Sequence, residues 1–411
     1  MSTLDEKKRL YARTALIVGL GFDVRPRYLA LGASTDPVSI DFATIVVEEA
    51  YKLGAPFVEV SYTDSRVLRE QFLRAPDEYK LNVPSYLTQR AEYLVAGNAA
   101  TMRFTDNDDL GAYAGVDTKY PTGWRSAIFV AQKSLTKRMM SMLQPWNLTP
   151  IPSQRWCEKL GVSTEGLWET LFEITGINGP DPIQFWKDSL QRTKVRCEKL
   201  NALQLSDLYF KGDNTLLSVG LSNKARWLGG AKTAEDGTNF VPNWPTFEVY
   251  TTPDWRTVRG YVSTTMPFPV GGSVVEDLIV EFKDGVISDV HAKSGEKAYR
   301  DLIAHDAGAS RAGEIALVSM DSPIARLRRP FWHIMTDENA RCHIATGRAY
   351  PAALWDGPRM TPDELEALGC NESDTHQDMM ISDESTTVFG KLENGSSVIL
   401  LEKGLWTSEF A

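Results

Sequence analysis

The stretch RYLALGASTDPVSIDFATIVVEEAYKLGAPFVEVSYTD, residues 27–64, decides the predicted fold of the N-terminal half. It opens with a short apolar run and continues from residue 38 with apolar residues at helical spacing, which end at Gly54. From Pro56, apolar and polar residues alternate as they do in a strand. This strand–helix–strand order indicates a βαβ unit in a mainly parallel sheet. The preceding apolar run, ALIVGL at 15–20, is predicted as a further strand.

The alternation of predicted strands and helices continues to about residue 205. A strand is predicted at 100–108 from ATMRFTDND. Helical spacing of apolar residues predicts the following helices: 85–98, 124–143, 153–161, 163–176 and 181–203. Together these elements predict an N-terminal α/β domain over residues 1–205.

Paired strands dominate the chain beyond residue 205. Asp284-Gly285 and Asn394-Gly395 each lie between two alternating runs, which is a strong signal for a β-hairpin. A few helical stretches lie among these strands. We therefore expect a C-terminal mixed α+β domain over residues 206–411, and an α/β protein as a whole.

Composition and charge exclude several classes of protein. The 411 residues include 44 basic and 54 acidic ones, and the net charge of −10 disfavours non-specific binding of nucleic acid. The sequence has no run of 18 apolar residues and no secretory signal, so we expect a soluble cytoplasmic protein that binds no membrane. The four cysteines show no Cys-x-x-Cys spacing. Gly19-Leu-Gly21 lacks the third glycine of a dinucleotide-binding fingerprint and is interpreted as a turn.

Two segments place a carboxylate in an apolar setting. Glu248 lies in NWPTFEVYTTPD (243–254), where strand alternation also permits an ordinary solvent-facing position. Glu314 opens EIALV, which resembles a buried strand, and a buried carboxylate needs a cationic partner. A metal ion and a structural ion pair with Arg311 are both open possibilities for it.

Two further segments bring imidazoles and carboxylates together. TDENARCHIATGRAYP (336–351) offers Asp337, Glu338, His343 and Tyr350. Glu338 and His343 are five residues apart, which does not suit one face of a helix. In DTHQDMMIS (374–382), His376 and Asp378 are two apart, so an extended backbone would turn both to the same side. Cys342 beside His343 is interpreted as a buried structural thiol.

Apart from Asp337, the residues named in the four segments are four carboxylates and two imidazoles. Such a set suits two divalent ions about 3.5–4 Å apart, bridged by a carboxylate and a water. Mixed imidazole and carboxylate donors favour Zn, Mn, Co or Fe over Ca. Spacing alone leaves open whether the segments meet in space.

The order of four motifs closely resembles the thermophilic aminopeptidase family, that of aminopeptidases T and S. The motifs are PTFEVYTTPD (245–254), GEIALVSMDSPI (313–324), DENARCHIATGRAYP (337–351) and THQDMMI (375–381). The resemblance extends to EEAYKLGAPFVEVSYTD (48–64) and NVPSYLTQRAEYL (82–94), and covers nearly the whole chain.

The resemblance implies a metallo-aminopeptidase that acts on peptides or aminoacyl amides, with two divalent ions (Zn, Co, Mn or Mg) in its C-terminal domain, assembled as a homodimer. The metal ligands that it implies are Glu248, Glu314, Glu338, His343, His376 and Asp378. Glu314 would bridge the ions, Tyr350 would donate a hydrogen bond to the oxyanion, and Glu248 is our first choice to carry the proton. Asp337 and Asn339 would either orient ligands or serve as turn and capping residues.

Three departures from the family pattern bear on substrate choice. Phe247 stands where the family motif usually has the first of two glutamates, which removes a negative charge near the expected site. The stretch GDNTLL (212–217) differs from the usual one, and Gln377 and Ser382 replace more usual residues. These changes question the substrate preference more than the reaction class.

Two other functions are weighed against the aminopeptidase. A mononuclear iron ring-cleaving dioxygenase of the same fold would use only His343, His376 and Asp378, and would leave the three glutamates without a role. A non-catalytic relative would keep the fold, and Phe247 keeps this hypothesis open. The sequence does not name the metal, the preferred N-terminal residue, the physiological substrate or the oligomeric state.

Overall fold

The computed structural model describes residues 3–105, 112–113, 115–117, 119–270 and 273–411. The chain forms two compact units. One comprises Met1–Lys187 with Ala231–Trp244, and the other comprises Asp188–Gly230 with Pro245–Ala411. The domain boundary that we expect near residue 205, between 1–205 and 206–411, stays a prediction.

The described residues contain helices of 4 to 22 residues. In chain order they are α1 (Leu4–Leu20), α2 (Pro37–Lys52), α3 (Ser65–Arg74), α4 (Tyr86–Ala96), α5 (Lys119–Ala131), α6 (Lys133–Met140), α7 (Gln154–Leu160), α8 (Thr164–Ile174), α9 (Pro182–Leu203), α10 (Glu296–Ile303), α11 (Ile334–Asp337) and α12 (Pro362–Ala367). None of these described helices combines the length and the apolar composition needed to cross a bilayer.

The strands fall into three larger sheets and two short ribbons among the described residues. In chain order they are β1 (Leu29–Ser34), β2 (Val58–Thr63), β3 (Ala100–Thr105), β4 (Trp146–Pro150), β5 (Leu205–Gly212), β6 (Thr215–Gly220), β7 (Leu228–Gly229), β8 (Lys232–Thr233), β9 (Asn239–Phe240), β10 (Val249–Thr251), β11 (Arg259–Ser263), β12 (Phe268–Val270), β13 (Ser273–Val275), β14 (Ile279–Lys283), β15 (Val286–His291), β16 (Ala312–Leu317), β17 (His343–Gly347), β18 (His376–Met380), β19 (Thr387–Leu392), β20 (Ser397–Glu402) and β21 (Leu405–Trp406).

The first unit holds a four-stranded parallel sheet in the order β2-β1-β3-β4. The predicted βαβ unit is β1, α2 and β2, and α2 is capped by Asp36. The predicted helices corresponding to α4, α7, α8 and α9 are confirmed. Of the strand predicted at 100–108, residues 100–105 form β3, and 106–108 lie outside the described residues.

Two predictions for this half are wrong. ALIVGL, expected as a strand, lies in α1, where a capping box of Thr3 and Glu6 opens the helix and left-handed Gly21 closes it. A fully buried apolar run has no periodicity that separates strand from helix, and here the caps decide. The single helix expected over 124–143 is two helices, α5 and α6, which are interrupted at Gln132.

The second unit holds two antiparallel sheets. The larger has eight strands, β15-β14-β11-β6-β5-β19-β20-β21, and contains both predicted hairpins. Asp284 and Gly285 both have positive φ, as the tight turn between β14 and β15 requires. The smaller sheet has the order β18-β17-β16-β10-β7. Its strands carry or adjoin all four segments that the sequence singles out.

Candidate metal centre

The register of three neighbouring strands places candidate ligands on one face of the smaller sheet. Glu314 on β16 pairs with Ala345 on β17, which in turn pairs with Asp378 on β18. Residues paired across strands point to the same side, so both carboxylates face the same way with a methyl group between them. His343 and His376 each lie two residues before a member of this row, and therefore share its face.

A break in the register directly precedes Glu314. The pairing of β16 with β17 shifts between Ala312 and Glu314, which is the pattern of a β-bulge. A Cβ on Gly313 would lie 2.4 Å from the carbonyl oxygens of Gly347 and Arg348. Only glycine permits this close approach, and the bulge determines where the Glu314 side chain points.

The candidate ligand atoms form two groups that share one residue. Glu248, Glu314 and His343 form one group, and Glu314, His376 and Asp378 form the other. Within each group the ligand atoms lie within 4.8 Å of one another. Glu248, Glu314, His343 and Asp378 are buried, and His343 keeps only 1% of its surface exposed.

Individual contacts lie at distances typical of ion pairs. His343 Nε2 is 3.4 Å from Glu248 Oε2. His376 Nε2 is 3.3 Å from Glu314 Oε2 and 3.4 Å from Asp378 Oδ1. The Arg311 guanidinium, considered from sequence as a partner for Glu314, instead lies 3.9 Å from the Trp255 ring centroid. The imidazole of His376 thus occupies the cationic position next to Glu314.

Both imidazoles point the same ring nitrogen into the cluster. The Nδ1 of His343 lies 3.2 Å from the carbonyl oxygen of Arg341, and the Nδ1 of His376 lies 2.8 Å from that of Arg348. A carbonyl only accepts, so each Nδ1 carries the proton and donates it. In the neutral rings, Nε2 therefore presents its lone pair to the carboxylates, which is the arrangement that metal-binding histidines use.

The cluster has an excess of negative charge. Burial lowers the pKa of His376, but the carboxylates of Asp378 and Glu314 outweigh it and raise that pKa well above its ordinary value. His343 responds in the same way: burial opposes protonation, and Asp378, Glu248 and Glu314 raise the pKa nonetheless. Burial, followed by the charges of these same three carboxylates, raises the pKa of Glu338 well above its ordinary value. Divalent cations fit this donor set, because buried carboxylates in such number require positive charge.

Glu338 differs from the other candidates in its placement. It begins a 3-10 turn, Glu338–Ala340, and belongs to neither group of ligand atoms described above. Asn339 connects it to the site: its Nδ2 lies 3.5 Å from Glu338 Oε1 and donates to the Met335 carbonyl at 3.0 Å. Its Oδ1 accepts the backbone N–H of Phe247 at 2.6 Å, next to Glu248.

Asp337 stabilises a turn. Its two carboxylate oxygens accept the backbone N–H groups of Phe331 and His333, at 2.7 and 3.1 Å. Of the two open interpretations from sequence, Asn339 matches ligand orientation and Asp337 matches capping. Cys342 is buried, and burial raises the pKa of its thiol, as a structural cysteine requires.

Tyr350 lies beside the second group. Its hydroxyl oxygen is 3.4 Å from His376 Nε2. The residue as a whole is 40% exposed, but the charges of Glu314 and Asp378 act on its hydroxyl. Burial, and then the charge of Glu314, raises the pKa of Tyr350 well above its ordinary value. The hydroxyl therefore stays protonated at neutral pH and can donate a hydrogen bond.

The departures from the family pattern also have defined positions. Phe247 is half-buried, and Gln377 Nε2 donates to the Asp378 carbonyl at 3.1 Å. Ser382 Oγ accepts the Cys342 N–H at 2.8 Å. Two residues were missed from sequence. Ala345 lies in register between Glu314 and Asp378, and Thr252 makes two hydrogen bonds to the Tyr350 backbone. Neither residue belongs to a recognisable chemical pattern, so only the register and the backbone contacts identify them.

Residues 5–406 match the family described as thermophilic metalloprotease (M29). Because this match spans nearly the whole chain, the chain belongs to that family. Similar proteins include aminopeptidase PepS of Streptococcus thermophilus, 33% identical over 97% of this chain and 98% of the relative. Aminopeptidase AmpS of Bacillus subtilis (strain 168) is 32% identical over 99% of this chain and 100% of its own.

A solved structure, that of wild-type AmpT from Thermus thermophilus, has the same fold. The TM-score is 0.88 at 31% identity, with 98% of this chain and 100% of that chain covered. The predicted α/β fold class, family and enzyme class, a metallo-aminopeptidase, are confirmed. The ring-cleaving dioxygenase receives no support.

Proposed function

We propose that the chain releases N-terminal residues from peptides at a centre of two divalent ions. The proposed ligands are Glu248, Glu314, Glu338, His343, His376 and Asp378. The observation that carries the proposal is Glu314, whose carboxylate belongs to both groups of ligand atoms. A shared carboxylate suits a bridge between two ions. Zn, Co, Mn and Mg are the candidates, since the donors are carboxylates and imidazoles.

When bound, such a pair of ions supplies a water of lowered pKa and polarises a carbonyl oxygen. The chain's own residues orient the substrate and move protons around this chemistry. A carboxylate of the cluster would accept a hydrogen bond from the free α-amine of a peptide, and this contact would select for a free N-terminus. We assign the proton transfer to the leaving amine to Glu248, which lies at one side of the cluster against His343.

Tyr350 is the proposed donor to the developing oxyanion. Its raised pKa keeps the phenol protonated, and its hydroxyl adjoins His376 at the exposed side of the cluster. A donor in this role contributes about 2.7–4 kcal/mol of transition-state stabilisation. Phe247 gives the neighbourhood of Glu248 an apolar side chain, and we propose that it influences which N-terminal residue is preferred.

A homodimer in the cytoplasm completes the proposal and rests on the family resemblance. Sedimentation equilibrium would test the oligomeric state. A mass of about twice the 45.8 kDa of the chain supports the dimer, and a single-chain mass at micromolar concentration contradicts it. Fractionation of the source cells would test the location.

The substitution Glu314→Gln tests the two-metal centre. Without the shared carboxylate, both ions should lose a ligand. We expect kcat/KM to fall at least about 100-fold, because loss of a residue that only hydrogen-bonds a metal ligand already costs up to about 100-fold. Bound metal should fall from two ions per chain toward none, as measured by elemental analysis after gel filtration.

Glu281→Gln is the matched control, because it removes the same negative charge at an exposed position on β14. It should keep both ions and full activity. Full activity in Glu314→Gln would contradict the proposal.

A further inference from the structure

Thr252 holds both ends of the Tyr350 backbone with one hydroxyl group. The Tyr350 N–H donates to Thr252 Oγ1 at 3.2 Å, and Thr252 Oγ1 donates to the Tyr350 carbonyl oxygen at 2.9 Å. Thr252 is fully buried, with no exposed surface. A hydroxyl can donate once and accept at the same time, so both bonds form together.

Tyr350 depends on this support because of where it lies. It precedes a short 3-10 turn, Pro351–Ala353, rather than lying within a strand. Its ring contacts two others, edge-on against Tyr250 at 5.8 Å between centroids and tilted against His376 at 5.1 Å. These ring contacts fix the plane of the phenol, whereas the two backbone bonds fix the point from which the side chain starts.

The strand β10, which directly precedes Thr252, is itself in register with the cluster. Thr251 at the end of β10 pairs with Ile315, the residue after Glu314. Glu248 immediately precedes the same strand. One short segment therefore contributes a candidate ligand at its start and the support for Tyr350 just past its end, which fixes the distance between them.

We propose that Thr252 is a positioning residue, which acts through Tyr350 by holding its hydroxyl beside His376. This inference rests on the oxyanion role of Tyr350 in the proposed function. A donor that is misplaced by about 1 Å can cost about 100-fold in rate. Loss of the two hydrogen bonds between Thr252 and the Tyr350 backbone should thus lower kcat and leave the metal ligands in place.

Thr252→Val tests the proposal, because valine keeps the shape and removes the hydroxyl. We expect kcat on an aminoacyl-anilide to fall about 10- to 100-fold, with KM and metal content per chain unchanged. Thr252→Ser restores the hydroxyl and should recover most of kcat. If the valine variant fails to fold, Thr252→Ala against Thr252→Ser makes the same comparison.

Thr251→Val is the matched control. Thr251 is the preceding residue and is equally buried, and its hydroxyl donates to the Arg226 carbonyl at 3.1 Å. This variant also loses a buried hydrogen bond, but it leaves the Tyr350 backbone bonded. It should keep kcat within about twofold, and a loss equal to that of Thr252→Val would reduce the effect to general destabilisation and overturn the proposal.

A double-mutant cycle with Tyr350→Phe separates positioning from structure. If Thr252 acts through the phenol, Thr252→Val should lower kcat no further once that hydroxyl is gone. A further loss of the same size in the Tyr350→Phe background would contradict the proposal, as would an unchanged kcat in Thr252→Val alone. An unchanged kcat in Tyr350→Phe would instead refute the role of Tyr350 itself, and the proposed positioning with it.

Discussion

Ala345 decides how much room the candidate metal centre has. It is fully buried and lies in register between Glu314 and Asp378, so its methyl group stands between the two carboxylates. Its size leaves space between the two carboxylates, whereas a longer side chain would enter it. A small residue is also required at Gly313, where a Cβ would collide with two carbonyl oxygens.

Ala345→Leu should therefore block the site. A leucine side chain would fill the space between the two carboxylates, and overpacking costs about 1–3 kcal/mol of stability in addition. We expect bound metal, measured by elemental analysis, to fall below one ion per chain. Ala345→Gly is the control, which keeps the space and should keep the metal. Two ions bound by the leucine variant would contradict this account of the site.

Binding of metal should release protons at neutral pH. The pKa values of His343, His376 and Glu338 are all raised in the metal-free chain, so that chain holds protons which the metal-bound form does not. The apparent affinity for metal must then fall as the pH is lowered. Calorimetric titration with the metal in two buffers of different ionisation enthalpy measures the protons released. Heats that do not depend on the buffer would contradict the ligand set.

Residue types could be predicted from the sequence much better than their contacts. The six candidate ligands and Tyr350 belong to long ordered motifs, which a reader can align by eye. Thr252 escapes notice, because its importance lies in two bonds to a backbone that is 98 residues away. The partner of Glu314 is likewise open from sequence, since a metal ion and Arg311 are both possible until the strands are in register.

Elements with a local signal were predictable, and those set by burial were not. The hairpin at Asp284-Gly285 follows from two residues that tolerate positive φ. The helix α1 was mistaken in part for a strand, because its last ten residues are almost uniformly apolar and buried. The interruption at Gln132 between α5 and α6 has no glycine or proline to announce it.

The loop between β8 and β9 carries Asp236, whose ion pairs make stability depend on pH. Asp236 pairs with buried Arg27 at 3.0 Å and with exposed Arg25 at 3.2 Å. Burial opposes ionisation of Asp236, but hydrogen bonds from Thr238 and the charge of Arg27 prevail and lower its pKa from 3.8 to about 2. A lowered folded-state pKa means that the stabilisation is present above about pH 4 and is lost as the pH falls through about 2.

Asp236→Asn should lower the free energy of unfolding at pH 7 by about 2 kcal/mol, and by less at pH 3. Removing this charge also leaves Arg27 buried without its ion pair. Arg25→Gln is the control, because its guanidinium is mostly exposed and should contribute about 0–1 kcal/mol. Urea denaturation at both pH values measures the difference. Equal losses for the two variants would contradict the assignment.

At the scale of the whole molecule, the order of the motifs was the most informative signal. The match over residues 5–406 and the TM-score of 0.88 to AmpT from Thermus thermophilus agree with it. The sheet order β18-β17-β16-β10-β7 could not be read from sequence, because it joins β10 to β16, more than 60 residues later, through antiparallel pairing. That order is what brings the four separate motifs onto one face.

Metal content per chain, measured together with hydrolysis of a panel of aminoacyl-anilides on the same sample, tests the central claim most directly. We predict two divalent ions per chain, with hydrolysis that is lost on chelation and restored by adding metal back. The panel would also give the preferred N-terminal residue. Full hydrolysis with a single ion per chain would contradict the two-metal aminopeptidase. An absence of hydrolysis at every metal content would contradict it as well.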